Sequence, residues 1–364
     1  MRKKISYRHF DKLLFLMPVL IFLIGIFSIY SASFKSSQSF NQILAVRQIL
    51  WMGTGILVVF LIVRVGYFSL QDFAWPAYIL TVLLLVAVLG VPARLGAHRW
   101  IPVGGFNVQP SELAKLAVIL VLSRFFMNHR PETLSKTKLL VPFAVVMVPF
   151  FLILKEPDLG TSLTLIPILF AMLYLWGFRS KYLLFLFVAG TVATPFLFHF
   201  LKEYQKARLL VFLNPSMDPL GAGYTIIQSK IAIGSGGFLG KGFMEGTQNQ
   251  LNFLPERHTD FIFAVIGEEG GFMVSLFLFV LFWVIIKKGY VISGQTPDKF
   301  GSQLACGIST MLAVQTLVNL GMTMGLLPVV GMPLPLVSYG GSSVIITMLA
   351  IGILLNIRMH RPLF

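Results

Sequence analysis

Ten long runs of apolar residues leave this chain few folds to choose from. They fall at 12–33, 48–64, 75–91, 110–127, 139–154, 159–176, 181–200, 260–287, 304–326 and 340–357. A helix needs about 20 such residues to cross about 30 Å of hydrocarbon. The runs are continuously apolar rather than alternating, which selects helices over a barrel. Composition agrees, with 56% of the 364 residues hydrophobic and 12% charged, against about 25% charged in a soluble domain. The expected fold is an all-α integral membrane protein, a single polytopic domain over 1–364 with about ten transmembrane helices. Pro18, Pro76, Pro149, Pro167 and Pro195 fall within these runs and blur their ends.

The first run follows Arg2, Lys3, Lys4 and Arg8 and precedes Ser31-Ala32-Ser33, as a secretory signal would. It is longer than a signal's apolar core of about 7–15 residues, so an uncleaved first helix is expected. Lys and Arg in short loops set the orientation. The side of the two termini holds Arg130, Lys136, Lys138, Arg179, Lys181, Lys287, Lys288, Arg358 and Arg361; the opposite short loops hold Lys35, Arg47, Arg94, Arg99 and Lys155. Both termini are therefore expected in the cytoplasm of a multi-pass cell-membrane protein. The one long connection, 201–259 between the seventh and eighth spans, is then extracytoplasmic. No internal repeat stands out, which counts against an inverted-repeat transporter.

The net charge of +15 does not indicate nucleic acid, because the basic residues are scattered over short loops without a basic stripe. It suits anionic lipid headgroups and an anionic lipid-linked substrate. Cys306 is the single cysteine, which rules out an intrachain disulfide and a thiolate metal cluster.

Charged residues at the edges of apolar spans are the functional candidates. In the stretch 252–271, NFLPERHTDFIFAVIGEEGG, Asp260 opens a span, either as a helix cap or as a carboxylate at the water boundary. Glu268 lies about 12 Å deeper and about 80° around the helix, and Glu269 about 180° around it. The three acids therefore do not make the carboxylate pair of a glycosidase, about 5–9.5 Å apart. Glu268 and Glu269 are expected to hold helices together, and Glu256 and Arg257 to support the loop or touch substrate. Elsewhere, Ser111, Glu112 and Lys115 share one helix face, as a structural ion pair or a charged cavity wall. Asp158 is a cap or a site residue, and Ser338 and Ser342 a close-packed helix entrance or a polar entry.

The glycine-rich stretch 234–248, GSGGFLGKGFMEGTQ, fails as a phosphate loop, since Gly242 follows Gly240-Lys241 and Ser235 stands where the first glycine belongs. Close backbone approach, with Lys230 and Lys241 meeting a phosphate, remains open beside plain turn chemistry. Ser135-x-x-Lys138 matches an acyl-enzyme pattern but lies on the cytoplasmic side, and no Lys-Thr-Gly follows.

QPSELAKL (109–116), KEPDLGTSL (155–163), the run 231–269 containing PERHTDF, and PLPLVSYGGSS (333–343) together resemble the SEDS family of shape, elongation, division and sporulation proteins. The similarity runs over essentially the whole chain. Arg257 in PERHTDF resembles the rod-shape (RodA-like) branch more than the division (FtsW-like) or sporulation branches. Gly270 departs from the pattern, where the family more often has a bulkier residue. The resemblance implies ten spans and a peptidoglycan glycosyltransferase that extends glycan from lipid II, releasing undecaprenyl pyrophosphate. It also implies a class B penicillin-binding protein as crosslinking partner, alongside other elongation-machinery proteins. The family's essential aspartate falls on Asp260, and its charged cavity residues on Arg47, Glu112, Lys115 and Asp158.

On that reading Asp260 takes the proton of an attacking 4-hydroxyl, and Lys115, Arg47 or loop cations such as Lys241 meet the diphosphate. Attack on an α-linked donor with inversion gives the β-1,4 glycan. No resident cofactor is required, and whether a divalent cation, Mg2+ or Mn2+, joins Asp260 is left open. The competing functions are a lipid II flippase, which needs ionisable groups along a path to the cytoplasmic side, and a non-catalytic scaffold, which leaves Asp260 and Lys115 unexplained.

Overall fold

The computed structural model describes residues 10–33, 38–91, 99–104, 106–131, 135–199, 203–218 and 221–360. Arg2, Lys3, Lys4 and Arg8, which precede the first run, and Lys35, Arg94 and Arg361, used above to orient the chain, lie outside these. The helices are α1 (Lys12–Ser33), α2 (Gln38–Val65), α3 (Leu70–Val88), α4 (Pro110–Asn128), α5 (Lys136–Lys155), α6 (Leu159–Trp176) and α7 (Ser180–Phe198). The long connection then carries α8 (Glu203–Leu213), α9 (Ala222–Ser235) and α10 (Thr247–Gln250). The chain ends with α11 (Ile262–Gln295), α12 (Lys299–Thr323) and α13 (Gly341–Met359). Eight described helices are long and apolar enough to cross a membrane, namely α1–α3, α5, α6 and α11–α13. With α4 and α7 they occupy the ten expected spans.

Local chemistry sets many of the ends. Pro110 starts α4 at a position where its missing N–H costs nothing. Ser135 caps α5 by accepting from Lys138 N, so the serine of the Ser-x-x-Lys pattern is a helix cap. Asp158 caps α6, which stops at Gly177 in the left-handed conformation. Pro18, Pro76, Pro149 and Pro167 sit inside their helices without ending them. Two elements depart from the sequence reading. α2 begins at Gln38, one polar helical stretch before its apolar run. A two-stranded antiparallel hairpin, β1 (Ile101–Val103) and β2 (Phe106–Val108), precedes α4, pairing Ile101 with Val108.

The centre of the bundle is α12, packed against α4, α6 and α11, while α13 lies along α2. Most of the α12 and α13 spans is buried, against less than half of α1, α2 and α3. Around the girdle Phe60, Leu83, Phe185 and Phe187 stay exposed, as expected of side chains facing hydrocarbon.

α11 is broken at Gly271, whose φ of 64° and ψ of −161° are not helical. The chain after α9 fills the break. Lys241 N donates to Glu268 O (3.0 Å), Gly242 N to Glu269 O (3.1 Å) and Phe272 N to Gly237 O (3.0 Å). A Cβ on Gly240 would stand 2.1 Å from Glu269 O, and one on Gly236 2.0 Å from Gly267 O. The glycines thus permit close approach, but to the protein's own helix. The glycine-rich stretch lies at the level of Glu268–Met273 and not over Asp260, because backbone groups freed at the helix break must find partners there.

Candidate active site

The polar connections that precede α4, α6, α11 and α13 meet at one end of the bundle. Asp260 does not cap its helix: Phe261 occupies the cap position and no side chain closes the first turn. The reason is the tight turn before it, in which Phe261 N donates to Glu256 O (3.3 Å). The main-chain carbonyl of Asp260 is held by Asn319 Nδ2 from α12 (2.9 Å), which also donates to Met332 O (2.7 Å). The carboxylate is thereby released from structural duty and turned toward Gly331. A Cβ on Gly331 would lie 3.3 Å from Asp260 Oδ2 and 4.0 Å from Arg99 Nη1, so the absent side chain keeps a gap between acid and guanidinium. The residue retains some exposed surface while its carboxyl lies low in the cleft. Burial first, then the Glu256 charge, push this carboxyl up to about 6; Arg99 and Arg208 oppose the rise and Asp158 adds to it.

Arg99, just before β1, is fixed by backbone. Its Nε donates to Glu156 O (3.4 Å) and its Nη2 to Pro157 O. Asp158 is buried and takes three donors, Thr161 N (3.2 Å), Gln109 Nε2 (3.2 Å) and Ser111 Oγ (3.4 Å). It therefore caps α6 and joins α6 to α4 at once. Glu112 and Lys115 form an i,i+3 ion pair of 2.7 Å, each about 1% exposed. Ser338 is buried, donating to Thr259 O (2.6 Å) and accepting from Leu334 N (2.8 Å). Ser342 accepts from Gln109 N (3.1 Å) and donates to Asn107 O (3.0 Å), which ties the hairpin to α13. Arg47, exposed on α2, reaches the Tyr339 hydroxyl. Of the expected substrate contacts, Arg47 and Ser342 are accessible, while Glu112, Lys115, Asp158 and Ser338 lie beneath the surface.

The remaining charges of the 252–271 stretch separate by position. Glu268 is fully buried and accepts from Lys241 Nζ (2.7 Å), Thr247 Oγ1 (3.1 Å) and Gln248 N (3.0 Å). Glu269 accepts from Ser31 Oγ (2.5 Å) and Asn249 Nδ2 (3.0 Å), joining α11 to α1 and α10. Lys241 is thus engaged by Glu268. Arg257 staples the same region, donating to Ala32 O (2.5 Å) and Asn249 O (3.0 Å). Glu256 is exposed and accepts from Thr259 Oγ1 (3.1 Å).

Sequence reasoning passed over Arg99, Glu156, Arg208, Asn319 and Gly331. Arg99 entered only as a loop charge and Arg208 not at all, and nothing local distinguishes either. Asn319, a buried amide within an apolar span, carried a signal of the same kind as Lys115. Among the described residues no cluster of three His, Cys, Asp or Glu could hold a metal ion. Asp260 with Arg99 beside it is not a donor set for a resident divalent cation.

Fold and site together define a polytopic helical membrane protein with an acid–guanidinium cleft where four interhelical connections meet. A family model described as cell cycle protein, FTSW_RODA_SPOVE, matches residues 11–362, and the chain belongs to that family. It is 40% identical over 350 residues to the peptidoglycan glycosyltransferase MrdB of Escherichia coli (strain K12), covering 95% of this chain and 94% of that protein. It is 37% identical over 367 residues to stage V sporulation protein E of Bacillus subtilis (strain 168), covering 96% and 97%. A chain from a structure on the coordination of polymerization and crosslinking by a peptidoglycan synthase complex superposes with a TM-score of 0.80 at 31% identity, covering 96% and 97%. The crystal structure of the rod shape determining protein RodA of Thermus thermophilus superposes with a TM-score of 0.71 at 27% identity, covering 96% of each chain.

Proposed function

We infer that the chain is a peptidoglycan glycosyltransferase, a membrane enzyme that polymerises glycan. The observation that carries this is the Asp260 carboxylate, left uncapped, facing a gap with Arg99 on its other side, in a chain 40% identical to a peptidoglycan glycosyltransferase. A carboxylate raised to about 6 is ionised at neutral pH and basic enough to take a proton from a sugar hydroxyl as it attacks an anomeric carbon. The departing diphosphate needs cations; Arg99 and Arg208 lie close enough to act on the Asp260 charge, and Arg47 is exposed on α2 beside Tyr339. Asp158 acts from below by fixing α4 against α6, and the Glu112–Lys115 pair closes a buried charge within α4. The proposed donor and acceptor are lipid II and a growing glycan, at the outer face of the cytoplasmic membrane with both termini inside. The proposed partner is a class B penicillin-binding protein, and the proposed setting is rod-shape elongation.

Transport of lipid II is less well supported. Below Lys115, α4 continues with buried Leu116, Val118, Ile119, Val121 and Leu122, so this stretch of α4 presents no ionisable side chain until Arg124. A divalent cation at Asp260 would have to take most of its ligands from the substrate, and polymerisation after exhaustive chelation tests for it. The central test is polymerisation of lipid II by purified protein. Wild type should make glycan and folded Asp260→Ala none; polymer of normal length and rate from the variant would sink the assignment.

A further inference from the structure

The chemistry above leaves one buried acid without a task. Glu156, between α5 and α6, is 0% exposed, and neither of its carboxyl oxygens has a hydrogen-bond partner. Its neighbours give the reason. Asp158, two residues on, collects three donors. A carboxyl group with neither solvent nor a donor, beside a second carboxyl that has taken the donors, keeps its proton. Arg99 lies alongside and bonds only the main-chain carbonyls of Glu156 and Pro157. Among the described residues it enters no ion pair. Its Nη1 is thereby left on the Gly331 side, where Asp260 Oδ2 also lies.

We propose that Glu156 is a positioning residue for Arg99. As the neutral acid it lets the guanidinium rest on two carbonyls and face the Asp260 cleft, where it meets the diphosphate of the glycan donor. As a carboxylate it would draw the guanidinium back into an ion pair. The inference rests on the glycosyltransferase reading for the donor, but the protonation and the Arg99 geometry stand apart from it. Burial, then the Asp158 charge, lift this carboxyl to about 8, with Arg99 opposing. Asp158 and Arg99 are the charges facing Glu156. Asp260, Glu256 and Arg208 lie beyond Arg99, Lys155 is exposed at the end of α5, and the Glu112–Lys115 pair on α4 is closed on itself.

Two measurements on the full-length protein test this. Infrared difference spectra between mildly acidic and alkaline pH should show a protonated-carboxyl band lost with a midpoint near 8, absent from Glu156→Gln. In polymerisation assays the wild-type KM for the lipid-linked donor should rise about tenfold as pH passes that midpoint, with kcat little changed, because one charge-assisted contact is lost. Glu156→Gln should keep the low KM throughout; Glu156→Met, also uncharged, serves if the first variant does not fold. A band with a midpoint near 8 that survives in the variant, or an equal alkaline rise in KM in variant and wild type, overturns the proposal. The infrared arm needs no turnover, so its failure is distinguishable from failure of the polymerase reading.

Discussion

Asp260 is available for chemistry because other groups do the structural work around it. Phe261 takes the cap position and Asn319 holds the Asp260 carbonyl, so the carboxylate meets the cleft instead of the helix. With its value raised to about 6, the proposed base is protonated, and so inactive, below that pH. Polymerisation at saturating substrate should fall about tenfold per pH unit on the acid side, and a pH–rate profile checks the position of that limb. Lys115 presents the opposite case, a cation with no open face. Lys115→Met should strand the Glu112 charge and cost about 3–5 kcal/mol. Adding Glu112→Gln should recover most of it, as read by thermal unfolding in detergent. Glu156 also affects stability, since its folded value of about 8 exceeds the ordinary glutamate value. The folded state holds that proton longer than the unfolded chain does. Its ionisation penalty is absent at acid pH and grows as pH rises toward about 8. Glu156→Gln should therefore be the more stable protein at alkaline pH, by up to roughly 4 kcal/mol, with the difference vanishing at acid pH.

The element that departs most from a simple span is α11. Its break at Gly271 exposes backbone groups at depth, and the chain from Gly236 to Gly242 supplies their partners. Gly240 adopts a φ of +82°, and a Cβ there would meet Glu269 O at 2.1 Å. Gly240→Ala should lower stability by at least about 3 kcal/mol through both strain and collision. Gly234, inside α9 with nothing within 4 Å of an added Cβ, is the internal comparison. Gly234→Ala should be neutral or stabilising by about 1 kcal/mol. Melting temperatures of the two variants decide the matter, and equal values would remove the glycine-rich stretch from its structural role.

At the scale of the whole molecule, the spans alternate so that α1 begins and α13 ends on the side opposite Asp260. The proposed orientation puts that side in the cytoplasm. Cys306 is buried, so introduced cysteines report their own positions. Leu251→Cys, in the exposed turn after α10, should react with an impermeant maleimide on intact cells. Lys299→Cys, exposed at the start of α12, should react only after permeabilisation. The reverse pattern would invert the topology and remove the Asp260 cleft from the extracytoplasmic side.

The spans were legible in the sequence because lipid imposes a local condition, that every backbone polar group be satisfied within its own helix. Long apolar runs therefore marked α1 and α6 residue for residue. Asp260 was legible as a candidate because a charge at the end of such a run is costly, and the motifs around it carried the family resemblance. The site itself was decided in three dimensions. Arg99 is held near Asp260 by the carbonyls of the α5–α6 connection, and Gly331 contributes a missing side chain from a third connection. Neither relation has a periodicity or spacing along the chain. The break at Gly271 was hidden for the same reason. An apolar helix with a glycine pair at 270–271 reads as continuous until a distant glycine-rich segment donates the hydrogen bonds that allow it to open.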